Sequence, residues 1–142
     1  MVKTTPAQNK ALVLQAFDTL FNKRDYKAAE RYWSSNYLQH SAHIPPGRDR
    51  LFNLVRTMPA SLKYEPGVIV AENDYVIVHG RFSGTGRPRN LIAVDIVRIA
   101  AGVLAEALGR AAGRGGPGRI AERAAHVRGT YFQPEIPHPN PT

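Results

Sequence analysis

Apolar residues recur at helical spacing in the first part of the chain. Thr5 can cap a first helix, and Pro6 fits the first helical position, where its missing N–H costs nothing. The apolar stripe of this helix comprises Ala11, Val13, Leu14, Phe17, Leu20 and Phe21. A turn over residues 22–25, with Asp25 as the N-cap, predicts a second helix that ends at residues 34–36. Its expected apolar face is formed by Ala28, Ala29, Tyr32 and Trp33.

A third helix is predicted after a short extended segment over residues 37–42. The run Pro45-Pro46-Gly47 indicates its start, and Pro59 its end. Its apolar stripe consists of Leu51, Leu54, Val55 and Met58.

The second part of the chain has the pattern of β-strands separated by turns. Strands are predicted over residues 68–71, 75–82 and 91–99, and a fourth begins at Val103. Three helices followed by an antiparallel meander predict an α+β domain, with the helices on one face of a curved sheet.

The composition changes abruptly near residue 107. Ala, Gly, Arg and Pro dominate residues 108–118, and four prolines space out the last nine residues. We therefore expect a domain over residues 1–108 and an atypical, partly disordered tail over residues 109–142.

The formal net charge of +8 and the pI of about 10.2 raise the question of a nucleic-acid partner. The basic residues are mostly single charges scattered over helix and strand faces, so such a partner is not favoured. The absence of cysteine excludes disulfides and thiolate metal sites. No apolar run approaches the roughly 20 residues of a membrane span, and no signal-peptide core precedes the first helix. We expect a cytoplasmic protein without a membrane partner.

Several short stretches occur in an order that is specific as a set. They are Ala16-Phe17, residues 21–26, 37–40, 44–48, 75–82 and 95–98. In this order they resemble the SnoaL-like polyketide cyclase family of the nuclear-transport-factor-two-like superfamily, over residues 9–106. The resemblance implies a cone-like, curved antiparallel or mixed sheet packed on three N-terminal helices, with a ligand pocket on its concave side. It also implies a homodimer, and acid/base chemistry that needs no cofactor.

The family pattern breaks after Glu106. In the family the last strand continues into His-Trp-Asp, and this Asp is the acid/base residue of the cyclases. Gly109 stands at that position here and cannot move a proton. Codons compatible with residues 106–133, read with one base skipped after Glu106, permit His-Trp-Asp-Val-Leu-Gln-Asp-Glu. We therefore hypothesise that one inserted base shifted the reading frame, which leaves open whether the chain is an enzyme.

Three residues are expected to be catalytic, because the resemblance places them near the pocket: His40, His79 and Asp95. A histidine can exchange a proton near neutral pH. A carboxylate in mid-strand is costly unless it is paired, and Arg81 or His79 is the expected partner of Asp95. For each of the three, a purely structural hydrogen bond or ion pair is the alternative.

The expected substrate-binding residues are Phe17, Trp33, Tyr37, Tyr64 and Arg81, with a place in the hydrophobic core as the alternative for the aromatic ones. No metal site is expected, because no close ligand pair such as His-x-His occurs. Phosphate-binding loops, dinucleotide fingerprints and nucleophile elbows are absent from the sequence.

The predicted function is therefore cyclase- or isomerase-type acid/base chemistry on a carbonyl compound in an apolar pocket, by an intact or impaired enzyme. A non-catalytic ligand-binding or dimerisation module of the same fold is the second hypothesis. A basic nucleic-acid binder acting through its tail is the third, and it predicts salt-sensitive affinity that is lost on deletion of residues 110–142.

Overall fold

The computed structural model describes residues 3–40 and 47–114, the last six by their backbone alone. Helix α1 spans Pro6–Phe17 and begins with the predicted cap: the Thr5 hydroxyl accepts from the Gln8 amide, and the Gln8 side chain accepts from the Thr5 amide. A π-helical turn, Asp18–Asn22, extends it. Helix α3, Arg48–Thr57, stops before Pro59 as predicted.

The second helix is much shorter than predicted. Helix α2 spans only Tyr26–Ala29, although Asp25 caps it as expected by accepting from the Ala28 amide. Trp33 lies instead at the start of strand β1, Trp33–Gln39, opposite Leu104. The Leu104 amide donates to the Tyr32 carbonyl at 2.7 Å. Sheet pairing with a distant strand thus overrides the helical spacing of the aromatic residues.

Four more strands follow β1, namely β2 Lys63–Glu72, β3 Tyr75–Ser83, β4 Leu91–Ala100 and β5 Val103–Arg114. The five strands form one curved, unclosed mixed sheet in the order β1-β5-β4-β3-β2. Strand β1 runs parallel to β5, and all other neighbours are antiparallel. The α+β class and the helices packed on the sheet confirm the predicted architecture.

Strand β5 continues six residues beyond the boundary expected at residue 108. Its backbone pairs with β4 as far as Arg114, opposite Leu91. The glycines in this segment weaken its strand propensity, but they keep the backbone N–H and C=O groups that pair strands. Residues 115–142 lie outside the described part of the chain, so the prediction of a disordered tail stays a prediction.

The helices cover one face of the sheet, which we call the inner face. It is defined by alternate residues of β3 and β4 that are buried in the core, namely Val76, Val78, Phe82, Ala93, Val97 and Ile99. From α1 and the π-helical turn the core receives Val13, Ala16, Phe17, Leu20 and Phe21, and from α3 Leu51, Phe52 and Val55. The opposite face of the sheet is called the outer face.

Candidate ligand-binding site

A carboxylate lies on the inner face among apolar residues. Asp95 is 7% exposed, and its neighbours on the same face of β4, Ala93 and Val97, are buried. Its backbone lies opposite Val78 of β3, which is also fully buried, so the register places Asp95 on the helix-covered side. A carboxylate in such a place is expensive to keep ionised and is typical of functional sites.

The predicted aromatic residues surround the same face. Phe17, Trp33, Tyr37 and Tyr64 are all at most 6% exposed. The ring of Phe17 stacks on Trp33 with centroids 6.3 Å apart, and meets Tyr64 edge-on at 5.3 Å. The sequence left open whether these residues belong to the core or to a ligand pocket. In the structure they are part of the core cluster, which lies on the same side of the sheet as Asp95.

Tyr64 lies across a glycine of the neighbouring strand. A Cβ added at Gly80 would be 2.5 Å from Cε2 and Cζ of Tyr64. Gly80 pairs with Ala93, two residues before Asp95 on the same face. The missing side chain of Gly80 therefore makes the space in which the Tyr64 ring lies, on the same face of the sheet as Asp95.

His79 and Arg81 lie on the other side of the sheet. Strand alternation places both on the outer face, because the alternate residues Val78, Gly80 and Phe82 are buried on the inner face. The Arg81 guanidinium donates to the carboxylate of Glu65 on β2. The structure therefore does not bring His79 or Arg81 to Asp95, and the expected pairing of Asp95 with either residue is not formed.

His40 also lies away from Asp95, in a cluster that the sequence did not predict. Its Nε2 lies 2.6 Å from Oε1 of Glu106, and the Arg98 Nε donates to Oε2 of the same carboxylate at 2.9 Å. Arg98 and Glu106 face each other across β4 and β5 on the outer face. Their sequence separation from His40 left no local signal for this cluster. His40, Glu106 and Arg98 together form what we call the outer-face triad.

Glu106 is the anionic centre of the outer-face triad. Its side chain is 17% exposed, whereas that of His40 is 52% exposed. The hydrogen bond from Arg98 lowers the pKa of Glu106 below its ordinary value; burial opposes this, and the hydrogen bond with His40 adds to the lowering. The triad fastens the end of β1 to β5, together with the bond from the His40 amide to the Ala107 carbonyl.

A surface depression of about 800 Å³ lies beside α2 and the end of α3, away from Asp95. The two arginines in its lining, Arg24 and Arg56, already have partners in the protein. Arg24 donates to the carbonyls of Val55, Met58 and Pro59, and Arg56 lies over the ring of Tyr26 at 4.2 Å. These contacts close the C-terminal end of α3, so the depression is explained by structural roles.

The register of β5 locates the residue that departs from the family pattern. Gly109 lies opposite Ile96, and Arg110 opposite Asp95, after a bulge at residue 108. Position 110, rather than 109, is therefore the β5 neighbour of Asp95. The side chains of residues 109–114 are outside the described part of the structure.

Two further findings concern the described residues only. Over residues 3–40 and 47–114, no three His, Asp or Glu side chains come together in a way that could hold a metal ion. In the same ranges, no helix is long and apolar enough to cross a membrane.

Comparison with known proteins identifies the family. The sequence model of the SnoaL-like domain matches residues 13–107, and the chain belongs to this family. No match is found among curated protein sequences.

Solved structures share the fold. A candidate ketosteroid isomerase from Kribbella flavida superimposes with a TM-score of 0.65 at 17% identity, over 74% of this chain and 77% of its own. A candidate SnoaL-like polyketide cyclase from Jannaschia sp. gives 0.64 at 16% identity, over 79% and 90%. An epoxide hydrolase of the LEH-like type from M. tuberculosis gives 0.60 at 12%, over 76% and 81%. At these identities the likeness shows the fold alone.

Proposed function

We propose that the chain binds an apolar carbonyl compound on the inner face of its sheet and performs cyclase- or isomerase-type proton transfer on it. The buried carboxylate of Asp95 carries this proposal. It is the only one of the three predicted catalytic residues that the described structure places on the helix-covered face. The fold neighbours named as cyclase, isomerase and epoxide hydrolase act on small molecules, which supports the class of ligand.

In the proposed reaction, the Asp95 carboxylate takes a proton from the carbon next to the carbonyl. The electron pair of the broken C–H bond moves to the carbonyl oxygen as an enolate, and Asp95 then returns the proton to carbon. The hydroxyls of Tyr37 and Tyr64 lie on the same side of the sheet and are donors of the kind that stabilise such an oxygen. The apolar aromatic residues exclude water from the site.

The test is proton exchange into deuterated water. We would follow loss of the C1 protons of 2-tetralone by NMR with the native chain, with Asp95→Asn and with Asp74→Asn. The last is a matched control, because Asp74 is a surface carboxylate paired with Lys3. Native and D74N proteins should accelerate exchange equally, and D95N should lower the rate about a hundredfold or more. Equal rates in all three proteins would exclude Asp95 as the base.

A non-catalytic binding module is the second candidate. It is favoured by Gly109, which stands where the related cyclases carry their acid/base Asp. This candidate predicts that 2-tetralone binds to the native chain without any acceleration of its exchange.

We further propose that two copies of the chain pair through the outer face. Leu38 and Val70, both on this face by register, are about half exposed. They lie on the two edge strands, β1 and β2, and a second sheet packed across the outer face would cover both. Analytical ultracentrifugation should give the mass of a dimer for the native chain and for the control Lys27→Glu, and that of a monomer for Val70→Glu. A monomeric native chain would contradict the pairing.

A further inference from the structure

Three connecting segments meet at the end of the sheet where β2 begins and β3 ends. The Ser61 hydroxyl donates to the Gly84 carbonyl at 2.9 Å, and a Cβ added at Gly86 would lie 3.3 Å from Cγ of Pro59. Arg24, which follows the π-helical turn, donates to the carbonyl of the same Pro59 at 2.6 Å. The surface that these segments form, which we call the loop end, comprises residues 23–30, 56–63 and 84–90.

Four exposed cations at the loop end have no carboxylate partner among the residues that the structure describes. They are Lys27 of α2, Arg56 of α3, and Arg87 and Arg89 of the loop after β3. Arg56 lies over the Tyr26 ring and donates to the Asn53 side chain at 2.6 Å, and neither contact neutralises its charge. The depression beside α2 has four cations and two carboxylates in its lining, so this part of the surface keeps an excess of positive charge.

Cations at the opposite end of the sheet are offset by carboxylates. There the Lys3 ammonium lies 3.8 Å from the Asp74 carboxylate, and Arg98 donates to Glu106 at 2.9 Å. The fold therefore collects at one end cations that stand singly along the sequence, which is why the sequence alone did not favour a nucleic-acid partner. A group of unneutralised cations attracts a polyanion by its summed field.

We propose that the loop end binds the phosphodiester backbone of a single-stranded nucleic acid. Three of its four cations without a carboxylate are arginines, whose planar guanidinium groups bind phosphate oxygens through two parallel hydrogen bonds. A protein partner is less favoured, because it needs apolar anchors. The exposed large hydrophobic residues of the described structure, Leu38, Val68 and Val70, belong to β1 and β2 instead.

The arrangement of the cations favours a single strand over a duplex. They lie on three separate segments of the chain, and a flexible strand follows such a surface more easily than a stiff duplex does. Asp95 takes no part in this surface, so the inference goes beyond the proposed function and does not depend on it.

The test measures, by fluorescence anisotropy, the binding of a labelled oligouridylate of about 15 nucleotides to the full chain at several salt concentrations. The variant Lys27→Gln/Arg87→Gln removes one cation from each of two segments. Each phosphate contact with a single strand contributes about 0.7 to the slope of log K against log salt concentration. The slope of this variant should therefore be less steep than the native slope by about 1.4, and its affinity should be about 25-fold lower at about 0.1 M salt.

The matched control is Lys3→Gln/Lys10→Gln, which removes the same charge at the opposite end of the sheet and should keep the native slope and affinity. An equal loss in both variants would overturn the inference, because net charge alone would then decide the binding. Unchanged binding in both would also overturn it and assign the affinity to residues outside the loop end. Tighter binding of an oligoglutamate of equal charge would replace the nucleic acid by an acidic polypeptide. A native chain without affinity for the oligouridylate at about 50 mM salt would exclude the site outright.

Discussion

The most demanding structural prediction concerns the contact between Gly80 and Tyr64. A methyl group at Gly80 would lie 2.5 Å from two ring carbons of Tyr64, about 1 Å inside ordinary van der Waals contact. The ring cannot move aside easily, because Phe82 lies 4.7 Å, Phe17 5.3 Å and Phe21 5.7 Å away between centroids. Its main chain is also fixed, since the Tyr64 amide donates to the Asn22 side chain at 2.7 Å.

Forcing a methyl group into such a place costs about 1–3 kcal/mol, and we expect the upper part of this range for Gly80→Ala. For a chain of this size, the loss corresponds to a decrease in Tm of roughly 6–12 °C. Thermal unfolding followed by circular dichroism measures it directly. The same variant should weaken 2-tetralone binding, because the displaced ring lies on the face that carries Asp95.

Gly67→Ala is the matched control. Gly67 lies in the same pair of strands and is exposed. Its added methyl group would approach the His79 carbonyl oxygen at 3.0 Å and the ring Nδ1 of His79 at 3.6 Å. We expect the Tm of the Gly67→Ala protein to stay within a few degrees of the native value, because the neighbouring backbone needs to move by only a few tenths of an ångström. A G80A protein as stable as G67A would refute the packing of Tyr64 across Gly80.

Two further substitutions test the contacts outside the inner face. Glu106→Gln should destabilise the fold at neutral pH, because the Arg98 bond that lowers the pKa of Glu106 favours its charged form in the folded state. The stabilisation is present above the unfolded pKa of about 4.3 and is lost as the pH falls through the lower folded value. Urea unfolding of both proteins from pH 7 to pH 3 should therefore show a difference that shrinks with falling pH, and a constant difference would contradict this. Arg24→Lys should cost about 1–3 kcal/mol in the same assay at pH 7, because one ammonium cannot replace a guanidinium that donates to three carbonyls at the end of α3. An unchanged unfolding midpoint would show that these bonds contribute nothing.

Local signals in the sequence were enough to predict the first and third helices. Thr5 and Pro6 mark the start of α1 by the chemistry of capping, and Pro59 ends α3 because proline cannot continue the helix. The turn at Asn73 and the alternation along β3 likewise depend on neighbours in the chain. All of these features are decided within a few residues.

The predictions from the sequence were wrong or incomplete where residues far apart in the chain come into contact. Trp33 has helical spacing with the residues before it, but pairing with Leu104 places it in a strand. Alternation separates two faces of β3 and two of β4, yet only the register of Val78 with Asp95 shows which of them coincide. For the same reason the bond between His40 and Glu106, 66 residues apart, has no counterpart in any local pattern.

The central claim is that chemistry takes place on the inner face of the sheet, at Asp95, and not on the outer face. The most direct test compares Asp95→Asn with His79→Ala in the 2-tetralone exchange assay, with the fold of each verified by circular dichroism. We expect H79A to retain the native exchange rate and D95N to lose it. Loss of exchange in H79A with full activity in D95N would contradict the claim and move the site to the outer face.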